Sequence, residues 1–314
     1  MEQTLSRRDI WVRLLLYPGH TLPTAAAPVI VAVGLAIHDR VFAPLPALLA
    51  FIGSWLIHLG GVFADQYELL RRHPGIAEHP ELSQALKDGT LTFAILERAI
   101  IGCFALAALS APYLLYIGGV PALVIGIIGV TSSIAYASGP YPYARTGLAD
   151  PIFFVMFGIV AVVGTYYAQA ALAYRSSSSW LIVPQGLPFN AFVVGLPIGA
   201  LVMNVLVIDD IRDREFDIAK GWRTGAVRFG LGWSRTEYLA FSAFAYLSPC
   251  WFWLGLGFDA WVLLPLLTLP LAYALAQAVL TLKDAKDFLP MTPKVSGLSL
   301  LFSVLLALGI AVSG

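Results

Sequence analysis

Apolar stretches, each long enough to cross a bilayer as a helix, follow one another through nearly the whole of this sequence. A spanning helix needs about 20 mostly apolar residues. Stretches of that kind are predicted near 21–38, 42–69, 91–116, 118–138, 150–174, 187–210, 236–256, 260–282 and 295–313. Only 12% of residues are charged while 59% are hydrophobic, about half the charged share of an ordinary soluble domain. The expected architecture is therefore all-α and polytopic, with about nine transmembrane helices, formed by residues 1–314 as a single domain. Residues 1–16 read as an amphipathic lead-in at the interface, with Ile10, Trp11, Leu14 and Leu15 set against Arg7, Arg8 and Arg13. No small-residue cleavage site follows those arginines, so the first helix is expected to be retained. Formal net charge is zero, which gives no bulk signal for nucleic acid. Cys103 and Cys250 lie in apolar stretches without metal-ligand spacing.

The basic residues orient the bundle. With nine spans, all but two of the 19 Lys and Arg residues fall on the side of the N-terminus; Arg40 and Arg175 are the exceptions. The positive-inside rule makes that side cytoplasmic. Connections on the other side are short or bland, such as Gly118-Gly119 and Ser176–Ser179. The cytoplasmic loops, near 70–90, 139–149 and 211–235, are long and chemically rich, as loops that carry function tend to be.

The stretch from Asn204 to Asp217 closes the sixth span, and within it Asp209, Asp213 and Asp217 recur every fourth residue. On a helix they form one stripe that drifts about 40° per step. Carboxylates stacked this way near a bilayer repel one another unless a cation lies among them. A hard divalent ion with oxygen ligands suits the stripe, and Mg²⁺ commonly links such carboxylates to a phosphate. A solvated helix end, with Arg212 and Arg214 paired to the acids, is the plainer alternative for this motif alone. A second acidic group, Asp65-Gln66-Tyr67-Glu68, ends the second span on the same side, and its Asp65 and Glu68 share a helix face. Two acidic helix ends on one membrane side suggest a Mg²⁺ site for a diphosphate, with Asp65, Glu68, Asp209, Asp213 and Asp217 as metal ligands. Arg145, Lys220, Arg223 and Arg228 lie in the adjoining loops and are candidates to grip phosphate oxygens. His20 and His58 could serve as ligands or bases, with helix packing the plainer role.

At these residues the sequence resembles the UbiA superfamily of intramembrane prenyltransferases, and most closely its 1,4-dihydroxy-2-naphthoate polyprenyltransferase branch. The resemblance runs from His20-Thr21-Leu22-Pro23 through Ser138-Gly139-Pro140-Tyr141-Pro142 and Gly158 to Tyr167, and is most specific from Asp209 to Gly230. It implies a bundle around a cavity open toward lipid, and Mg²⁺-assisted transfer of a polyprenyl group from its diphosphate to an aromatic acceptor, in this branch a quinone precursor. It implies catalytic roles for Asp65, Asp213 and Asp217, in a multi-pass protein of a bacterial or archaeal cell membrane. The sequence departs from the family pattern at three places. Gly61 and Leu69 occupy the outer positions of the first acidic motif, Asp209-Asp210 stands for an Asn pair, and Trp222 stands for a Lys.

The expected chemistry is ionisation of an allylic diphosphate followed by attack of an acceptor ring carbon, with Tyr141, Tyr143 or Phe154 as aromatic faces for the cation. Two rivals are a specialised acceptor or terpene cyclisation on the same fold, and ion-coupled transport. A transporter places its ionisable residues nearer mid-bilayer, in broken helices of repeated halves; here the acids stand at helix ends.

Overall fold

The computed structural model describes residues 21–73, 80–173 and 187–313. The lead-in 1–16, His20, Arg175 and Ser176–Ser179 lie outside them. The long helices are α1 (Thr21–His38), α2 (Pro44–Arg72), α4 (Phe93–Ala108), α5 (Ala111–Ala137), α6 (Ala149–Ala173), α7 (Leu196–Lys220), α8 (Leu231–Gly255), α9 (Leu269–Thr281) and α10 (Met291–Val312), with a short helix α3 (Pro80–Lys87) between α2 and α4. Among the described residues, seven helical stretches are long and apolar enough to cross a membrane. They are Thr21–His38, Pro44–Arg72, Ala111–Ala137, Ala149–Ala173, Phe189–Lys220, Ala260–Thr281 and Ala285–Val312. The chain is an all-helical membrane protein.

The predicted stretches 91–116 and 118–138 meet where the structure breaks α5, at Gly119, whose φ of 60° and ψ of −149° are not helical. Glycine reaches that conformation without a Cβ clash. Pro121, which has no N–H to donate, sits just inside the second half. Tyr167 of α6 donates its hydroxyl to the Gly118 carbonyl, so the acceptor released by the break is satisfied inside the bundle.

α7 is the central helix. From Pro197 to Ile208 every side chain is buried, and it packs against α6, α8 and α10. A helix apolar all round belongs inside the protein rather than at its surface. The predicted end of this span near 210 is too early. α7 continues to Lys220, so most of the expected 211–235 loop is helical, with a further short helix at Gly225–Phe229. Arg212 pairs with Asp209 at i, i+3, and Ile211 is buried, so both charge and packing favour the added turns. α2 likewise runs to Arg72, three residues past its expected end. The acidic residues of both helices therefore lie within helix and not in loops, and their directions are set by helix geometry.

Candidate functional site

One cavity of about 820 Å³ runs along the inner faces of α2, α5, α6 and α7. Its walls change character along its length. Leu49, Leu114, Leu115 and Leu123 line one end; Asp65, Gln66, Asp209, Asp210, Asp213 and Asp217 line the other. Along α2, the 16 residues from Leu49 to Asp65 correspond to about 24 Å of helix. The two acidic groups recognised in the sequence thus face one space, Asp65 from α2 and the aspartates from α7.

Within α7 the carboxylates are already partnered. Arg212 donates to both oxygens of Asp213, Nε to Oδ1 at 2.8 Å and Nη2 to Oδ2 at 2.5 Å, and through Nη1 to Asp209 Oδ1 at 2.6 Å. Thr292 of α10 also donates to Asp209 Oδ1, at 2.6 Å. Asp217, only 3% exposed, accepts from the Thr224 hydroxyl at 3.1 Å and lies 3.7 Å from Lys220 Nζ. Asp210 Oδ2 accepts the Gly225 N–H at 3.2 Å. The plainer alternative, a solvated helix end, is met only in the pairing of Arg212 with the stripe: Asp209, Asp213 and Asp217 line the cavity, and Arg214 pairs with Glu215 at 2.6 Å.

Glu68 departs from its expected role as a metal ligand. It is buried outside the cavity lining and holds Arg71 at 3.0 Å and Arg72 at 2.5 Å. Three residues on from Asp65, it lies about 4.5 Å nearer the end of α2, beside the two arginines that hold it. Gln66 lines the cavity instead. It is 9% exposed, and its Oε1 is buried with no hydrogen-bond partner among the described residues. Gly61 also lines the cavity. The Ser133 hydroxyl of α5, which donates to the Ile57 carbonyl at 2.7 Å, fills the space a Cβ there would need. Leu69, the other departure from the family pattern, is buried in apolar packing.

Four basic residues were expected at the phosphates. Arg145 occupies a 3-10 turn, Tyr143–Arg145, and donates to the Ala137 carbonyl at 3.3 Å. Burial holds its guanidinium below the ordinary arginine value, with Arg72 adding repulsion. Lys220 is the last residue of α7, its side chain fully enclosed. Lys220 and Arg145 are the principal cations acting on Asp65. Arg223 and Arg228 are exposed and do not line the cavity; Arg228 donates to the Thr146 carbonyl at 3.2 Å. α7 ends at Gly221, whose φ of 74° turns the chain so that Trp222 N–H donates to the Asp217 carbonyl at 2.9 Å. This brings Trp222 back onto the cavity wall.

The aromatic lining differs from expectation. Tyr141 is 86% exposed, and Phe154 stacks on Phe241 of α8 away from the cavity. Tyr143 does line it, its hydroxyl donating to the Ser132 carbonyl at 2.9 Å, and burial raises the pKa of its phenol. The wall is completed by Tyr136, Phe153 and Phe157, with ring centres 5.3 and 5.2 Å apart in succession. Sequence reasoning missed these three. The i, i+4 spacing of Phe153 and Phe157 was the available signal, and it does not separate a cavity wall from ordinary core.

Among the described residues, no three His, Cys, Asp or Glu side chains converge as the cage of a dedicated metal site would. At phosphate sites Mg²⁺ takes one or two protein carboxylates and draws the rest of its shell from water and phosphate. Asp65 on one wall and Asp213 and Asp217 on the other offer such oxygen donors without forming a closed cage, and in donor type they suit the ion.

Comparison with known proteins gives the same account. Residues 25–289 match the UbiA prenyltransferase family model. The chain is 29% identical to the 1,4-dihydroxy-2-naphthoate octaprenyltransferase of Escherichia coli (strain K12), covering 99% of this chain and 98% of that one. It is 31% identical to the enzyme of the same name from Mycobacterium leprae (strain TN), over 70% of each. A UbiA homologue from Aeropyrum pernix K1 in its apo form shares the fold, with a TM-score of 0.63, 17% identity, and coverage of 93% of this chain and 97% of that one. A UbiA homologue from Archaeoglobus fulgidus bound to GPP and Mg²⁺ does so with a TM-score of 0.59, 16% identity, and coverage of 94% and 98%. An acidic pair of walls on an apolar cavity, in a helical membrane bundle matching the family model over most of its length, places this chain in the UbiA prenyltransferase family.

Proposed function

We propose that this protein transfers a polyprenyl group from its diphosphate to 1,4-dihydroxy-2-naphthoate or a closely related aromatic quinone precursor. The observation that carries the reading is one cavity with an apolar end and an end walled by Asp65 on α2 and Asp213 and Asp217 on α7. A prenyl diphosphate is a molecule of the same two-part character. The relatives named above support the acceptor: those from Escherichia coli and Mycobacterium leprae carry that substrate in their names.

In this reading the prenyl tail lies among Leu49, Leu114, Leu115 and Leu123, and the diphosphate lies at the aspartates. Mg²⁺ held by Asp65, Asp213 and Asp217 would offset the negative charge of the diphosphate and assist its departure. Lys220 and Arg145 add positive charge to the same end. Arg212 keeps Asp213 and Asp209 in place, and Thr292 fixes Asp209 from α10. The C–O bond of the donor breaks, and the allylic cation meets the faces of Tyr136, Phe153 and Phe157, which stabilise positive charge without adding a nucleophile. The apolar walls keep water from it. An acceptor ring carbon then forms the new C–C bond, diphosphate having left with the C–O electron pair, and the ring regains aromaticity by releasing CO₂ from its carboxylate or, for an acceptor without one at that position, a proton.

We read the chain as one domain of nine spans in a bacterial or archaeal cell membrane, with the N-terminus and the acidic end of the cavity cytoplasmic. The one-sided distribution of Lys and Arg supports this.

The test is an assay of membranes bearing the protein, with Mg²⁺, geranylgeranyl or longer diphosphates, and a panel of hydroxylated aromatic acids, read by mass spectrometry. A prenylated naphthoquinol product is expected. A cyclised hydrocarbon from the donor alone would replace transfer with cyclisation, and no product with any acceptor would sink the reading.

A further inference from the structure

Three side chains from three segments meet on the ring of Trp222. The Lys220 ammonium lies 3.7 Å from the centre of the Trp222 ring and 3.4 Å from that of Phe216, so two aromatic faces enclose it. The Arg145 guanidinium lies 5.1 Å from the centre of the same Trp222 ring. The His73 ring, just beyond the end of α2, meets Trp222 edge-on at 6.3 Å. Trp222 lines the cavity, whereas Lys220 and Arg145 do not. The indole is thus the wall at the acidic end, with the two cations held against it.

Holding two cations at one ring is unfavourable in isolation, since like charges repel. Two things offset it here. The negative face of each ring attracts a cation, more strongly where water is excluded, and the Lys220 side chain is fully enclosed. Asp217 stands 3.7 Å from Lys220 Nζ, and Asp65 lies within the field of both cations. Backbone geometry keeps the platform in place. Trp222 N–H is bonded to the Asp217 carbonyl at 2.9 Å, and Arg223 N–H to the Arg145 carbonyl at 2.9 Å. The second of these bonds ties the loop that carries the indole to the turn that carries Arg145.

We infer that Trp222 is a positioning residue for the donor diphosphate: its indole holds Lys220 and Arg145 at the polar end of the cavity, where their charge draws and orients a polyanion. The inference rests on the donor assignment made above. Fixed positive charge at the end of a low-dielectric cavity raises the local concentration of an anion. Replacing the indole by a flexible apolar chain frees both cations to spread into solvent, weakening donor binding more than the chemical step.

The experiment uses the full chain in nanodiscs and an unreactive prenyl thiolodiphosphate with Mg²⁺. Wild type, Trp222→Phe and Trp222→Met are compared for analogue affinity, for donor KM and kcat, and for melting temperature. Trp222→Met is expected to weaken analogue binding and raise donor KM about tenfold, with kcat changed about threefold or less, and Trp222→Phe to stay within about threefold of wild type. In Lys220→Met/Trp222→Met the two losses should combine to less than their product, because one contact serves both. If Trp222→Met does not fold, Lys220→Met alone takes its place, with the same tenfold expectation. Analogue affinity unchanged in Trp222→Met or in Lys220→Met, or full multiplicativity in the double variant, overturns the inference and leaves the donor assignment standing. Absence of Mg²⁺-dependent binding by wild type overturns both.

Discussion

Ser133 of α5 fills the space beside Gly61 of α2: its hydroxyl donates to the Ile57 carbonyl at 2.7 Å and stands where a Gly61 side chain would begin. The resemblance drawn from the sequence implies a polar side chain at this outer position of the first acidic motif. Here the neighbouring helix comes in and supplies a hydroxyl to the cavity wall instead. Gly61→Ala must displace that hydroxyl and break its bond, and is expected to cost about 1–3 kcal/mol by crowding and by the lost hydrogen bond. The melting temperature in detergent should fall, and Gly61→Ala/Ser133→Ala should recover part of the loss. An unchanged melting temperature for the single variant would show that the two helices part freely here.

The aspartates of the α7 wall are expected to tolerate little substitution. Asp213→Ala and Asp217→Asn should each lower turnover by at least about a hundredfold, as loss of a group that holds a charge-neutralising ion implies. Both should remain folded by size-exclusion chromatography. Turnover within tenfold of wild type in either would remove that residue from the metal set.

Glu68→Gln should behave differently from Asp65→Asn although the two residues are three apart. Glu68 pairs with Arg71 and Arg72 outside the cavity. Its neutralisation is expected to change kcat by less than about threefold, and stability by about 1 kcal/mol or less, because both arginines remain partly in water. Asp65→Asn removes charge from the cavity itself and should lose activity as the α7 variants do. Parallel kinetic and melting measurements on the two separate the cases; equal loss of activity would return Glu68 to the site.

Gln66 offers a test in which stability and activity move apart. Its buried Oε1 has no partner among the described residues, and such an atom is a burden that an apolar side chain does not carry. Gln66→Leu is therefore expected to melt at the same temperature as wild type or higher. Turnover should fall about tenfold, if the amide hydrogen-bonds a substrate with the usual strength. A variant equal to wild type in turnover would make Gln66 a packing residue.

Removal of the metal gives a last expectation. With chelator present, binding of the prenyl thiolodiphosphate should weaken at least about tenfold, and added Mg²⁺ or Mn²⁺ should restore it, since both are hard cations suited to oxygen donors. Binding indifferent to chelator would assign the diphosphate to Arg145, Lys220 and Arg212 alone.

The sequence by itself determined what is local along the chain. The length and apolarity of each stretch specify helices that belong in a bilayer. The four-residue spacing of Asp209, Asp213 and Asp217 puts all three on one stripe, since helical geometry is a property of consecutive residues. The break at Gly119 was legible for the same reason. Only the tertiary structure decided what lies across a gap. Asp65 faces the α7 stripe across the cavity. Tyr136, Phe153 and Phe157 form the wall where Tyr141 and Phe154 were expected. Trp222, which in the sequence is only a departure from a lysine, is the ring on which Lys220 and Arg145 meet. Those outcomes depend on how each helix is rotated against its neighbours. That rotation is set by packing between residues far apart in the chain, such as Gly61 and Ser133, and no local spacing encodes it.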